Sequence, residues 1–154
     1  MQVCVVGLSG AGKTTVLEQL RGRLHDEEKN GRRLVHKQMA FEFCELPSDA
    51  YYWGKTTESA DLIMFVVDST DSDQIRKSMQ ALHPYLTSVP ERVPLLVLAN
   101  KQDLPNAQST RVMADKLDID QMIRRHKIQA TTAKTGKGLE EALDWAVQSL
   151  SGQK

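Results

Sequence analysis

The chain contains Gly7-Leu8-Ser9-Gly10-Ala11-Gly12-Lys13-Thr14, which has the pattern G-x-x-x-x-G-K-T of a phosphate-binding loop. The apolar run Val3–Val6 predicts a buried strand before it, and apolar residues at helical spacing predict a helix after it. Glycines let main-chain N–H groups point inward around an anion, and the helix start adds the positive end of a dipole. A glycine-rich turn that merely closes a strand–helix unit is the alternative, and the matching context on both sides argues against it.

The loop predicts a set of phosphate ligands. Lys13 is expected to reach the β- and γ-phosphates of a nucleotide, and the Thr14 hydroxyl to ligate Mg²⁺. The predicted phosphate-binding residues are Ser9, Gly10, Ala11, Gly12, Lys13, Thr14 and Thr15.

Length and charge limit the class of protein. A chain of 154 residues is expected to form one domain, residues 1–154. Lys and Arg number 20 and Asp and Glu number 20, so the net charge is zero and predicts no nucleic-acid partner. The sequence contains neither an apolar run of transmembrane length nor a lipidation pattern. We therefore expect a cytoplasmic protein without a membrane anchor of its own, monomeric in isolation.

Strand and helix patterns alternate along the chain. The expected strands include Asp61–Asp68, Pro94–Ala99 and Lys127–Thr131, and the expected helices are Asp71–Ser88, Thr110–Leu117 and Gly138–Leu150. This alternation predicts an α/β fold with a parallel, doubly wound sheet and helices on both faces. Ligands of such sheets bind outside the carboxyl ends of the strands.

The stretch between the first helix and Asp61 is less regular. Residues 21–33 carry charges of both signs and predict a solvated helix end and loop, with a partner-binding loop as the alternative. Within Leu34–Leu46, the period-two spacing of Met39, Phe41 and Phe43 predicts a half-buried strand, and residues 33–37 before it predict a hairpin that turns near Lys37. The aromatic segment Tyr51, Tyr52 and Trp53 is open to two interpretations: one or two of these residues pack under the loop, or the segment forms a contact surface for a protein partner.

Two further motifs follow predicted strands. Asn100-Lys101-Gln102-Asp103 follows the strand that ends at Ala99, and Thr132-Ala133-Lys134 follows the strand that ends near Thr131. An Asp carboxylate accepts both N1–H and N2–H₂ of guanine, whereas adenine offers no such pair of donors. Lys101 is expected to lie along the base plane, and the Ala133 N–H to donate to guanine O6. The predicted guanine-binding residues are Asn100, Lys101, Asp103, Ala133 and Lys134.

Together these motifs resemble those of the Arf and Arf-like family of small GTPases. Gly7-Leu8 through Lys13-Thr14-Thr15, Phe65-Val66-Val67-Asp68-Ser69, Leu98 through Pro105 and Lys134 through Leu139 resemble the family's conserved segments. The resemblance covers the whole chain except about residues 21–59. It implies the P-loop NTPase fold of small G proteins, with a six-stranded, mostly parallel sheet. It further implies GTP or GDP and Mg²⁺ as cofactors, GTP hydrolysis as the activity, and protein effectors recruited in intracellular or ciliary trafficking.

The sequence departs from the family pattern in both switch segments. Residues 16–47 contain no Thr or Ser, so the Thr that closes over the γ-phosphate in the family has no counterpart. Glu45 takes the place of the Asp that supports Mg²⁺ indirectly, and Ser48 that of the Gly whose N–H meets the γ-phosphate. Asp49 takes the place of the Gln that positions water, so no catalytic residue is assigned. These departures predict slow or absent hydrolysis.

Three functions are compatible with a phosphate-binding loop. An Arf-like GTPase recruits partners at membranes or cilia, whereas a non-hydrolysing pseudo-GTPase would use Tyr51, Tyr52 and Trp53 as a fixed docking surface. The altered stretch Glu45–Asp49 favours the pseudo-GTPase function more than the usual family sequence of this segment would. A nucleoside or nucleotide kinase is disfavoured, because the two base-binding motifs have no role in it.

Overall fold

The computed structural model describes residues 1–55 and 57–152, so the last two residues of the expected domain lie outside the described part. The strands are β1 (Gln2–Val6), β2 (His25–Asp26), β3 (Arg33–His36), β4 (Met39–Glu45), β5 (Leu62–Asp68), β6 (Leu95–Asn100) and β7 (His126–Ala130). The helices are α1 (Lys13–Arg23), α2 (Ser72–Thr87), α3 (Thr110–Leu117) and α4 (Leu139–Ser151), and a 3₁₀ helix covers Ala50–Lys55. Expected and observed element ends differ by about one residue. Within the described ranges, every helix is too short or too polar to cross a membrane.

One mixed sheet organises these elements. Its strand order is β2-β3-β4-β1-β5-β6-β7, and the strands from β4 to β7 pair in parallel. The α/β fold class and the mostly parallel sheet are confirmed. The sheet has seven strands rather than six, because His25–Asp26 pairs antiparallel with β3 inside a stretch that was expected to be a loop. Strand order reverses around β1, so the loop after β1 lies where ligands bind in such sheets.

Helices cover both faces of the sheet. Alternate residues of β1 and β5 point to opposite faces, and every residue of β5 is buried, as expected for a central parallel strand. On one face the core includes side chains of α1 and α4, and on the other those of α2 and α3. Both faces therefore exclude water, and the polar loops are confined to the edges of the sheet.

The hairpin predicted near Lys37 is present. Lys37 and Gln38 connect β3 to β4, and both have left-handed backbone angles, with φ of 47° and 66°. Two-residue connections of this conformation match the right-handed twist of the paired strands. The hairpin is joined to α4, because Asp144 accepts hydrogen bonds from His36 Nε2 at 2.6 Å and from Lys37 Nζ at 2.9 Å.

The aromatic segment divides into a buried part and an exposed part. Trp53 is 0% exposed and packs edge-on against Phe65 and Tyr85, with ring centroids 5.8 and 5.5 Å away. Tyr51 and Tyr52 are 70% and 49% exposed. The prediction that Trp53 contributes to a partner surface is therefore wrong. With three residues per turn, the 3₁₀ helix directs Trp53 into the core while its two neighbours face outward.

Candidate functional site

The loop between β1 and α1 lies at the carboxyl edge of the sheet and is tightly packed. At Gly7, with φ of 155°, a Cβ atom would lie 2.4 Å from the Val66 carbonyl oxygen. At Gly12, with φ of 106°, a Cβ atom would lie 2.4 Å from Asn100 Nδ2. Neither position accommodates a side chain, so the loop can lie close to β5 and to the Asn100 segment only because these residues are glycines.

Lys13 begins α1 and is only 6% exposed. Its Nζ donates to Gly7 O at 2.8 Å, to Ser48 Oγ at 3.0 Å and to Leu8 O at 3.4 Å. Burial lowers the pKa of Lys13, and the nearby Glu45 carboxylate partly opposes this effect. All three acceptors are neutral oxygens, so this buried ammonium group is well suited to bind an anion.

Thr14 lies beside Glu45 at the mouth of the loop. The Thr14 hydroxyl donates to Glu45 Oε1 at 2.9 Å, and both residues are exposed. A hydroxyl and a carboxylate are the hard oxygen donors that Mg²⁺ prefers. The donor chemistry at this point therefore fits the predicted magnesium site, with Glu45 able to act through Thr14 or a bound water.

Asn100 joins the phosphate loop to the two base-binding motifs. Its side chain is buried; Nδ2 donates to Ala11 O at 3.0 Å, and Oδ1 accepts from Thr131 Oγ1 at 3.1 Å and from Ala133 N at 3.0 Å. The Ala133 N–H, predicted to donate to guanine O6, is thus engaged with Asn100 in this structure. Asn100 acts as a structural link between three loops.

A cavity lies beside this link. Its lining residues are Gly12, Thr15, Asn100, Lys101, Asp103, Leu104, Ala133 and Lys134. All five predicted guanine-binding residues are therefore brought to one cavity that adjoins the phosphate loop. Asp103 is exposed, so its carboxyl group can accept hydrogen bonds from a ligand in this cavity.

Asp68 is a site residue that the sequence reasoning did not assign. Its Oδ2 accepts from Lys101 Nζ at 2.9 Å, and its Oδ1 accepts from the Thr70 main-chain N–H at 2.9 Å. Burial acts to raise the pKa of Asp68, but hydrogen bonds from Thr70 and Lys101 outweigh it and hold the pKa below its usual value. The sequence places Asp68 at the end of a predicted strand, but its contact with Lys101 depends on the register of β5 and β6, in which Asp68 and Asn100 are partners.

Helix α1 supports the loop that contains Ala133. Gln19 Nε2 donates to Lys134 O at 2.9 Å, and the Arg23 guanidinium donates to Thr135 O. The residues that follow the phosphate loop therefore also position the last base-binding segment, which sequence spacing did not indicate.

The segment Glu45–Asp49 is held at several points. The Leu46 main-chain N–H donates to Val5 O at 2.9 Å, and Trp53 Nε1 donates to Pro47 O at 2.7 Å. The Asp49 carboxylate accepts the Tyr51 main-chain N–H at 3.0 Å and so caps the start of the 3₁₀ helix. Asp49, at the usual position of the water-orienting Gln, thus has a structural partner on its own segment.

Comparison with known proteins identifies a family and a similar solved structure. The model of the ADP-ribosylation factor family matches residues 1–150. Among solved structures, the chain is similar to the Arl6 BBS3 small GTPase from Trypanosoma brucei, determined with the bound nucleotide analogue GppNp. The two chains are 26% identical and superpose with a TM-score of 0.80, over 100% of this chain and 99% of the other.

Proposed function

The chain belongs to the ADP-ribosylation factor family of small GTPases, and on this basis we propose that it binds GTP or GDP together with Mg²⁺ in the cavity beside the phosphate loop. One observation carries the proposal: the Asn100 amide joins Ala11 of the phosphate loop to Ala133 at the base cavity. Phosphate-binding and base-binding groups then belong to one continuous site. We assign this site to a single domain of residues 1–154.

The residues at the site have distinct roles in this proposal. Phosphates bind the main-chain N–H groups of residues 9–15 and the Lys13 ammonium, and Asp103 accepts the guanine donors. Lys101 and Lys134 flank the base with their aliphatic stems. Thr14 would hold Mg²⁺, with Glu45 supporting the ion indirectly, and Mg²⁺ neutralises phosphate charge when it is bound.

Hydrolysis is expected to be very slow. Residues 16–47 lack a Thr or Ser to close over the γ-phosphate, and the Asp49 carboxylate adds negative charge while it caps the 3₁₀ helix. Protein loaded with GTP and Mg²⁺ should convert it to GDP at less than about 10⁻⁴ s⁻¹ in single turnover, below the intrinsic rate of typical small GTPases. Chromatography of the bound nucleotide over hours measures this rate. Rapid conversion by the protein alone would contradict the expectation.

The same features support a second candidate function, a pseudo-GTPase that acts as an interaction scaffold. The contacts of Leu46, Pro47 and Asp49 fix the segment that moves in a switching GTPase. Tyr51 and Tyr52 form an exposed edge-to-face pair with ring centroids 5.2 Å apart, next to that segment. In either function we propose that this tyrosine pair contacts protein effectors or a larger complex. By family, these partners act in intracellular or ciliary trafficking and bring a cytoplasmic protein to membranes.

Asp68 is expected to slow nucleotide release through Lys101. Asp68→Asn should raise the GDP dissociation rate about fivefold to tenfold, because the charge-assisted hydrogen bond that holds the lysine stem against the base is lost. Stopped-flow displacement of fluorescent GDP measures this rate. In a Lys101→Met background the same substitution should have little further effect, since the partner is already absent.

A matched control is available on α2. Asp73 is an exposed carboxylate that pairs with Arg76 and Lys77 on its own helix, so Asp73→Asn should leave the dissociation rate unchanged. Equal rates for the Asp68→Asn variant and the original protein would refute the role given to Asp68.

A further inference from the structure

Ser48 is held in a fixed place above the phosphate loop. On its N-terminal side, Leu46 is buried and its N–H donates to Val5 O at 2.9 Å, while Pro47 O accepts the buried Trp53 indole N–H at 2.7 Å. On its C-terminal side, Asp49 caps the 3₁₀ helix that carries Trp53. The main chain around Ser48 is therefore positioned by the core and not by a ligand.

The Ser48 hydroxyl uses one of the three donors of Lys13. An ammonium group has three N–H donors, and in this structure Lys13 directs them to Gly7 O at 2.8 Å, Ser48 Oγ at 3.0 Å and Leu8 O at 3.4 Å. The two short hydrogen bonds are those to Gly7 and Ser48. The long hydrogen bond to Leu8 is the weakest of the three and the easiest to exchange for a ligand oxygen.

The three N–H donors of Lys13 are enough for a diphosphate but not for a triphosphate. A β-phosphate oxygen that replaces Leu8 O leaves Lys13 with three good acceptors: Gly7 O, the β-phosphate and Ser48 Oγ. A triphosphate also presents a γ-phosphate oxygen to the same lysine. No fourth donor exists, so a γ-phosphate oxygen competes with the Ser48 hydroxyl for Lys13, and the Trp53 and Leu46 contacts hold the main chain on the N-terminal side of Ser48 in place.

We propose that the Ser48 hydroxyl takes the place of a γ-phosphate oxygen on Lys13, so that this protein binds guanosine diphosphate in preference to the triphosphate. The inference rests on the proposed function, since it requires that guanine nucleotides bind at this site. In this proposal Ser48 discriminates between guanosine diphosphate and triphosphate, which share the same base and sugar.

The test is an equilibrium measurement on nucleotide-free protein. Displacement of fluorescent GDP by GDP and by a non-hydrolysable GTP analogue, with Mg²⁺ present, gives the two dissociation constants. The original protein should bind GDP at least about tenfold more tightly than the analogue, which corresponds to the loss of one hydrogen bond to a charged group. Ser48→Ala should reduce this ratio about tenfold, because the competing hydroxyl is removed.

Two further variants complete the test. Ser48→Thr retains a hydroxyl group and should retain the preference for GDP, and Ser88→Ala, at the exposed end of α2, should leave the ratio unchanged. If both nucleotides bind equally well to the original protein, or if Ser48→Ala leaves the ratio unaltered, the inference is refuted while guanine binding stands. If neither nucleotide binds, the proposed function itself fails.

Discussion

Replacement of Asp103 with Asn should lower the affinity for GDP by about a thousandfold or more. Asp103 lines the base cavity together with Lys101 and Ala133, and in the proposed function its carboxylate accepts two guanine donors. An Asn amide offers one acceptor and one pair of donors, so at least one guanine donor would face an N–H group. Sites that recognise a ligand by directed hydrogen bonds reject a mismatched ligand by about 10⁴ to 10⁵, which makes this effect large.

The same substitution should create affinity for xanthine nucleotides. Xanthine has a carbonyl at C2 where guanine has an amino group, and this carbonyl can accept from the Asn amide. Competition of GDP and xanthosine diphosphate for the purified variant measures both changes. Asp115→Asn, an exposed position on α3 outside the cavity, is the matched control and should retain the original affinities. Unchanged GDP affinity in Asp103→Asn would remove the base site from the proposal.

Trp53→Ala should lower the free energy of unfolding by about 3–5 kcal/mol, the usual cost of removing a large buried aromatic side chain. The ring is fully buried between Phe65 and Tyr85, so its loss leaves a cavity between the sheet and α2. The substitution also removes the indole N–H that donates to Pro47 O at 2.7 Å. This loss is a large part of the stability of a typical domain, about 5–15 kcal/mol.

Urea unfolding of the nucleotide-free protein measures this effect, and two variants separate its causes. Trp53→Phe retains most of the packing but not the N–H, and should cost less than Trp53→Ala. Tyr51→Ala, at a position 70% exposed on the same 3₁₀ helix, should cost about 1 kcal/mol or less. Equal losses for Trp53→Ala and Tyr51→Ala would contradict the assignment of Trp53 to the core.

Much of the fold was accessible from local patterns. The apolar run that forms β5 predicted a strand buried on both faces, and helical spacing of apolar residues predicted α2, α3 and α4. The two-residue strand His25–Asp26 was missed, because a strand this short has no periodicity of its own and exists only through its pairing with β3. The aromatic segment could not be divided into buried and exposed residues for a similar reason, since the 3₁₀ helix that separates them leaves little signal in three consecutive aromatic residues.

The predicted site residues were accessible because each motif directly follows a strand. Parallel strands end at one edge, so the phosphate loop, Asn100-Lys101-Gln102-Asp103 and Thr132-Ala133-Lys134 all lie at that edge. A short motif and the strand pattern before it are enough to place its residues at that edge. The resemblance to a family then indicates which ligand the motif binds. The fold class and the set of motifs at this edge of the sheet therefore follow from residues read in order.

The contacts that distinguish this protein follow from strand order and register instead. Lys13 and Ser48 are 35 residues apart, Asp68 and Lys101 are 33 apart, and Asn100 and Ala133 are 33 apart. Periodicity reports which face a residue occupies, but a pairing across such a distance depends on which strands are neighbours and on where each chain turns. Packing brings the Ser48 hydroxyl to Lys13, the Asp68 carboxylate to Lys101 and the Trp53 indole to Pro47. No local sequence pattern encodes these contacts.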